Sequence, residues 1–158
     1  MTIITLAAAL LIPPPPGGDD RTAILHSVHR FADAVSGVSG ANMESVVDPQ
    51  ANATIVDLRD PTTPAKLVVI DRAAFLERLS KTKEPVQERV GIPTILQRGA
   101  LAQVWVPYSL WIEEKRSHCG IDNFTLARRG DEWVITAISY TIEPVANCAD
   151  LAAPESPQ

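Results

Sequence analysis

The sequence has few of the residues that mark several large function classes. Its 158 residues carry 14 Lys and Arg against 19 Asp and Glu, a net charge of −5, and the basic residues are scattered. Because proteins hold nucleic-acid phosphates with clustered Lys and Arg, this balance argues against nucleic acid as a partner. The chain has no CxxC or HExxH spacing, no phosphate-binding loop and no nucleophile elbow. We therefore predict neither a metal site nor a cofactor.

Long apolar runs are also missing. The longest, residues 3–12, is far shorter than the ~20 residues that span a bilayer, so no membrane span is predicted. It has the length of a secretory signal core, but no Lys or Arg precedes it and only Pro and Gly follow, through residue 18. An export signal and an N-terminal tail are the two interpretations. The first predicts an exported protein, periplasmic or secreted, and the second a cytoplasmic one.

Only two cysteines are present, Cys119 and Cys148. In an exported chain they favour a disulfide, and in a cytoplasmic chain they would be buried thiols. Pro144 and its neighbours allow the chain to turn back, so that the disulfide is feasible. Residues 146–158 are predicted to form a C-terminal tail, disordered from residue 149 because Ala, Pro, Ser and acidic residues dominate it.

What remains predicts one domain over residues 19–145. Apolar residues at helical spacing favour a helix from Asp19 or Asp20 to Gly37, a short second helix is plausible, and Asp71 caps a third. The predicted second helix spans residues 41–47, and the predicted strands span 53–58, 66–70, 85–98, 101–112, 117–127 and 133–142. Helices followed by a long meander imply an α+β fold, a cone in which three helices pack into the concave side of a curved antiparallel sheet.

Several strand sequences resemble one known superfamily. They are RGALAQVWVPY at 98–108, SHCGIDNFTL at 117–126, WVI at 133–135 and YT at 140–141. They are similar to sequences of the nuclear transport factor 2-like superfamily, which includes SnoaL-like proteins and ketosteroid isomerases, and look closest to its lumazine-binding-like branch. Over about residues 19–144 the resemblance implies a cone-shaped α+β barrel, often dimeric, with a pocket between helices and sheet. It implies no single reaction, because the fold hosts isomerases, dehydratases, cyclases and non-catalytic binders.

Strand alternation predicts which side chains share the pocket face. A two-residue turn at Arg129 and Gly130 would place Asp122 opposite Ala137. The predicted wall then consists of Trp105, Trp111, His118, Asp122, Phe124 and Trp133. A carboxylate among aromatic rings is costly to bury ionised, so Asp122 either shifts its pKa upward and serves as a general base, or accepts hydrogen bonds from amides or an Arg and locks the sheet to the helices.

Two further side chains are candidates beside Asp122. His118 lies four residues away, roughly 13 Å along a strand, so the two do not touch, although a ligand could bridge them. Tyr108 would offer its phenol to a pocket only if the faces were reversed, which a one-residue slip in register achieves. Otherwise the opposite face forms a homodimer, because two apolar sheet faces need two covers. That face consists of Val104, Val106, Tyr108, Leu110 and Ile112.

These observations lead to three hypotheses about function. The first is a small-molecule-binding domain with an unknown ligand. The second is a lyase or isomerase in which Asp122 is the general base and His118 or Tyr108 polarises a carbonyl group. The third is an interaction module, which is compatible with either of the others.

Overall fold

The computed structural model describes residues 18–81 and 83–156. The predicted export signal or tail therefore lies outside the described residues, except for its last position. The helices and strands, in chain order, are α1 Gly18–Val35, β1 Val47–Asp57, β2 Lys66–Asp71, α2 Arg72–Ser80, β3 Val86–Val90, β4 Thr94–Arg98, β5 Leu101–Ile112, β6 Lys115–Arg129 and β7 Glu132–Ile142. The predicted α+β class with a curved sheet is confirmed.

The seven strands form one sheet in the order β2-β1-β7-β6-β5-β3, and β4 also pairs with β5. Every neighbouring pair is antiparallel except β1 and β7, which run parallel. The sheet is therefore mixed rather than purely antiparallel. The meander of the second half is antiparallel as predicted, and the parallel pair arises because β1 arrives from the other half of the chain.

In the described part of the chain two α-helices, not three, cover the inner face of the sheet. In α1 the side chains of Ile24, Val28 and Phe31 are buried in the core, at the predicted spacing of three and four. In α2 the Asp71 carboxylate accepts a hydrogen bond from the Ala74 N–H at 2.8 Å, as predicted for a cap. The predicted helix over 41–47 is only a 3-10 turn at Met43–Ser45, because β1 already begins at Val47.

The predicted strand over 85–98 is two strands, separated at residues 91–93. The Gly91 N–H donates to the Pro107 carbonyl at 2.7 Å, and a Cβ on Gly91 would lie 2.9 Å from Pro107 Cγ. Pro93 has no N–H to give to a ladder, so pairing stops there and resumes at Thr94. Both β3 and β4 pair with β5 and together form one edge of the sheet.

The register differs from the predicted one on both sides of β6, and the difference between β5 and β6 exchanges the faces of β5. The β6–β7 turn lies at Gly130 and Asp131, and an irregularity after Thr125 shifts the pairing, so that Asp122 lies opposite Tyr140 instead of Ala137. On its other side Asp122 pairs with Val106. The predicted dimer face is therefore the inner, helix-covered face: Val104, Val106 and Tyr108 are buried there.

The C-terminal segment packs on the outer face of β5 and β6. Cys119 and Cys148 form a disulfide with their Cα atoms 5.6 Å apart. Farther along, the Pro154 carbonyl accepts hydrogen bonds from Ser109 Oγ at 2.8 Å and from the Arg116 guanidinium at 2.7 Å. The prediction of disorder from residue 149 is wrong for the described part of this segment, because side chains of the sheet satisfy its backbone and the disulfide holds its start.

Candidate functional site

A cavity of about 160 Å³ lies between the two helices and the inner face of the sheet. Its apolar lining comes from both helices and from the ends of β5 and β7. These residues are Phe31, Val35, Phe75, Leu79, Leu110 and Ile142. Its polar lining comes only from strands. These residues are Glu88, Tyr108, His118, Asp122 and Tyr140. A cavity of this size accommodates a single ring or a short chain.

Asp122 is the carboxyl group at the floor of the cavity. Its side chain is 3 % exposed, and its Oδ2 atom is buried without a hydrogen-bond partner. Burial disfavours the charged form and raises the pKa of Asp122 to about 8. The alternative prediction was that backbone amides or an Arg donate hydrogen bonds to the Asp122 side chain. The described residues show no such hydrogen bond. Asp122 is thus a carboxyl group poised to exchange a proton near neutral pH.

Glu88 is a second, partly buried carboxyl group that lines the same cavity, and sequence reasoning missed it. Its Oε1 atom is buried without a partner. Its backbone N–H donates to Ser36 Oγ at 2.8 Å, and Ser36 in turn donates to the Ala32 carbonyl, so the end of α1 fixes β3 at this point. Burial, and then the nearby charge of Asp122, raise the pKa of Glu88 well above its usual value. The two carboxyl groups oppose each other's ionisation.

A sequence signal for Glu88 existed. In the run of residues 86–90, Val86, Glu88 and Val90 share one face of a strand, whereas Gln87 and Arg89 share the other. A single carboxylate in an otherwise apolar row is the pattern of a buried polar group. The sequence does not indicate a partner for Glu88, because the path of the chain between β3 and β5 depends on the break at Gly91.

Two tyrosines flank the carboxyl groups. The Tyr108 hydroxyl donates to the Thr141 carbonyl at 2.8 Å, and its ring lies over Gly120, where a Cβ would be 2.8 Å from Tyr108 Cε1 and 2.1 Å from the Thr141 oxygen. A glycine at position 120 is therefore what lets this ring lie flat on β6. Burial raises the pKa of Tyr108 and raises that of Tyr140 to about 12. Both phenols are neutral at physiological pH.

His118 also lines the cavity, so the structure brings both predicted catalytic residues to one site. Burial, and then the charge of Arg59, lower the pKa of His118 to about 4. The imidazole is therefore neutral near pH 7. Its Nδ1 lies 3.1 Å from Ser117 Oγ, and its ring meets that of Tyr108 edge to face with centroids 5.9 Å apart. The hydrogen bonds of the described residues include none between His118 and Asp122.

The predicted wall of tryptophans does not form. Trp105 is 53 % exposed on the outer face, and Trp111 stacks with Arg116 at 4.8 Å beside the C-terminal segment. Trp133 and Phe124 are buried in the core without lining the cavity. The exchanged faces of β5 explain the two outward tryptophans. Of the predicted ligand-binding residues only Tyr108 lines the cavity, and it does so because the faces are reversed. The aromatic rings that do line it are Phe31, Phe75, Tyr108 and Tyr140.

The described residues contain neither a metal-binding cluster nor a membrane-spanning helix. They contain no group of three or more His, Cys, Asp or Glu side chains able to hold a metal ion. Across residues 18–81 and 83–156, none of the helices is long and apolar enough to cross a membrane.

Comparison with solved structures identifies the architecture. An NTF2-like protein with a cystatin-like fold from Novosphingobium aromaticivorans matches with a TM-score of 0.60 at 11% identity, over 78% of this chain and 82% of that one. The fold is that of the NTF2-like proteins. The beta subunit of a putative aromatic-ring-hydroxylating dioxygenase from the same species matches with a TM-score of 0.64 at 10% identity, over 80% of this chain and 90% of that subunit.

The CaMKII hub of S. rosetta also matches, with a TM-score of 0.59 at 12% identity, over 81% of this chain and 98% of the hub. No protein-family model matches the sequence, and no curated protein matches it. At these identities the likeness establishes the fold, and the function must be argued from the cavity.

Proposed function

We propose that this protein binds a small, mostly apolar molecule in the cavity between its helices and its sheet. One observation carries the proposal: the unpartnered Asp122 Oδ2 is buried at the edge of an apolar cavity that a ring would fill. Buried polar atoms in folded proteins nearly always have a hydrogen-bond partner. A ligand that places a polar group beside Asp122 and its body against the helices satisfies that atom.

A second candidate is proton transfer at carbon, as in a lyase or isomerase. The observation that favours it is the pair of carboxyl groups, Asp122 with its pKa near 8 and Glu88 with a higher one. Ionised Asp122 would remove a proton from the carbon beside a ketone, and the electron pair would move to the carbonyl oxygen. Protonated Glu88 would donate a hydrogen bond to that oxygen. Tyr108 is less suited, because its hydroxyl donates to Thr141.

One NMR experiment distinguishes the two. The full chain is titrated in D2O with benzyl alcohol and with acetophenone, and the shifts of protein methyl groups and of ligand protons are followed together. We expect saturable shifts at cavity residues for both compounds, abolished by Leu79→Trp, which fills the cavity, and retained by Leu67→Trp, which alters an exposed side chain. Loss of the acetophenone methyl protons that depends on Asp122 would favour the enzyme. Absence of saturable shifts with either compound contradicts the binding proposal.

We also propose that the outer face of the sheet forms a homodimer. Leu96, Leu101 and Trp105 on β4 and β5 are each more than half exposed, and their side chains lie on the same face as Gln103 and Thr125. The helices cover the inner face and the C-terminal segment covers one end of the outer face. A second copy of the same apolar patch is the partner that fits it without charge.

The dimer is tested by replacing Trp105 with Asp. Light scattering after size exclusion is expected to give the mass of two chains for the natural protein and of one chain for the variant. Gln87→Asp, a charge placed on an exposed position of β3, is the control and should remain dimeric. A natural protein with the mass of one chain contradicts the proposal.

The exported location and membership of the SnoaL-like or lumazine-binding-like branch are proposed as well. The disulfide supports the first, because disulfides persist in oxidising compartments. The sequences at 98–108 and 117–126 support the second.

A further inference from the structure

We infer that the ligand of this cavity is a small aromatic or aliphatic amine in its protonated form, held between the carboxyl groups of Glu88 and Asp122. This inference deepens the proposed binding function and rests on it. It is carried by two buried oxygens, Glu88 Oε1 and Asp122 Oδ2, that have no hydrogen-bond partner among the described residues and line one cavity.

The polar groups of the cavity favour a ligand that carries hydrogen-bond donors. Neither carboxyl group takes part in an ion pair with a described Lys or Arg. The Tyr108 hydroxyl already donates to a backbone carbonyl. An ammonium group brings up to three N–H donors and can satisfy both oxygens at once, whereas a carbonyl or carboxylate ligand brings only acceptors and pairs only with a carboxyl group that keeps its proton.

The two carboxyl groups favour a positively charged ligand over a neutral hydrogen-bond donor. Two carboxyl groups so close oppose each other's ionisation, and burial adds to that cost. A single positive charge between them offsets both effects. An anionic ligand would be repelled by the ionised carboxyl groups.

The apolar and aromatic lining of the cavity favours an organic cation over a metal ion. The rings of Phe31, Phe75, Tyr108 and Tyr140 surround the polar floor, and aromatic faces attract ammonium groups. Val35 and Leu79 complete an apolar wall against which a hydrocarbon body packs. A divalent ion would need more oxygen ligands than the two carboxyl groups supply, and the described residues form no such cluster. The cavity volume suits a body of roughly 6 to 10 non-hydrogen atoms.

The test is calorimetry on the full chain with benzylamine, benzyl alcohol and benzoate at pH 8. We expect benzylamine to bind at least about tenfold more tightly than benzyl alcohol, and benzoate to bind most weakly. Asp122→Asn and Glu88→Gln should each lower the benzylamine affinity about tenfold while changing that of benzyl alcohol less than about threefold. Asp131→Asn removes an exposed charge from a turn and serves as the control.

The pH dependence gives a second readout. Because the carboxyl pair must release a proton to accept the cation, the benzylamine affinity should rise between pH 6 and 8, by up to about tenfold per unit, and the benzyl alcohol affinity should not. The groups that face Asp122 are Glu88, Tyr108, His118 and Tyr140, and the charges behind them are Asp57, Arg59, Arg78 and Glu143. Tyr108, Tyr140 and His118 stay neutral across this range, which leaves the carboxyl pair as the titrating unit.

The outcomes separate this inference from the proposed function. If benzyl alcohol binds as tightly as benzylamine, or the benzylamine affinity does not rise with pH, the cavity binds neutral molecules and the amine inference is wrong. If none of the three compounds binds, the proposed binding function fails together with it.

Discussion

Between pH 5 and pH 8, the free energy of unfolding of the natural chain is expected to fall by about 3 kcal/mol more than that of the variant Asp122→Asn. The folded-state pKa of Asp122 is raised to about 8, whereas an exposed aspartate has a value near 3.8. Between these values the folded chain holds a proton that the unfolded chain has lost. Stability therefore falls as the pH rises toward 8, and Asn, which does not titrate, removes this loss.

The size of the effect follows from the shift. Each pKa unit corresponds to about 1.4 kcal/mol, so a shift of about four units sets a ceiling near 5 to 6 kcal/mol. Relaxation around the charged carboxyl lowers this figure, and the buried Asn amide adds a cost of about 1 to 3 kcal/mol that is equal at both pH values. The difference between the two pH values isolates the ionisation.

The measurement is urea unfolding of both proteins at half-unit steps from pH 5 to 8. Asp57 titrates below this window, because Arg59 holds the pKa of Asp57 down at about 2. His118 titrates in both chains and cancels in the comparison. Glu88 remains in the variant and keeps part of the slope. A variant whose stability follows that of the natural chain at every pH would show that Asp122 is not the group that burial perturbs.

The fold could be predicted because it depends on patterns that are local in sequence. The apolar stripe of Ile24, Val28 and Phe31 and the cap at Asp71 predicted α1 and the start of α2. The bounds of β5, Leu101–Ile112, agree with the prediction at both ends. The hydrophobic periodicity and the turn residues predict such helices and strands without knowledge of tertiary contacts.

The membership of the site could not be predicted, because it depends on register. The β5–β6 turn lies at Glu113 and Glu114, both at positive φ, and an irregularity after Leu110 shifts the pairing, so that Val106 and not a residue of the Trp105 row lies opposite Asp122. Since successive strand residues point to opposite faces, a one-residue slip moves a whole row of side chains from one face to the other. Trp105 moved outward and Tyr108 moved inward for this reason.

Glu88 and the C-terminal segment were missed for a different reason, namely that their partners are distant in sequence. The backbone of Glu88 is held by Ser36, 52 residues away, and the Pro154 carbonyl by Ser109, 45 residues away. Composition described the segment near Pro154 as polar and unstructured. The contacts that order it come from the outer face of a sheet whose orientation was itself unknown.

Cys148→Ser is expected to lower the free energy of unfolding by about 3.5 kcal/mol under oxidising conditions. The Cys119–Cys148 disulfide spans 29 residues, and closing a loop of that length in the unfolded chain accounts for a loss of this size in the chain-entropy model. Both cysteines are fully buried, so the new serine hydroxyl gains no water in exchange. Urea unfolding with and without dithiothreitol measures the effect.

Two comparisons test whether loss of the disulfide itself causes the loss of stability. The double variant Cys119→Ser with Cys148→Ser should match the single one, and dithiothreitol should destabilise the natural chain alone. Ser109→Ala removes only the hydrogen bond to Pro154 and should cost about 1 kcal/mol. Because the disulfide lies on the outer face, the affinity of the cavity for benzyl alcohol should be unchanged in folded Cys148→Ser protein. A cost below about 1 kcal/mol would mean that Cys119 and the C-terminal segment remain in place without the disulfide, through Ser109, Arg116 and Pro154.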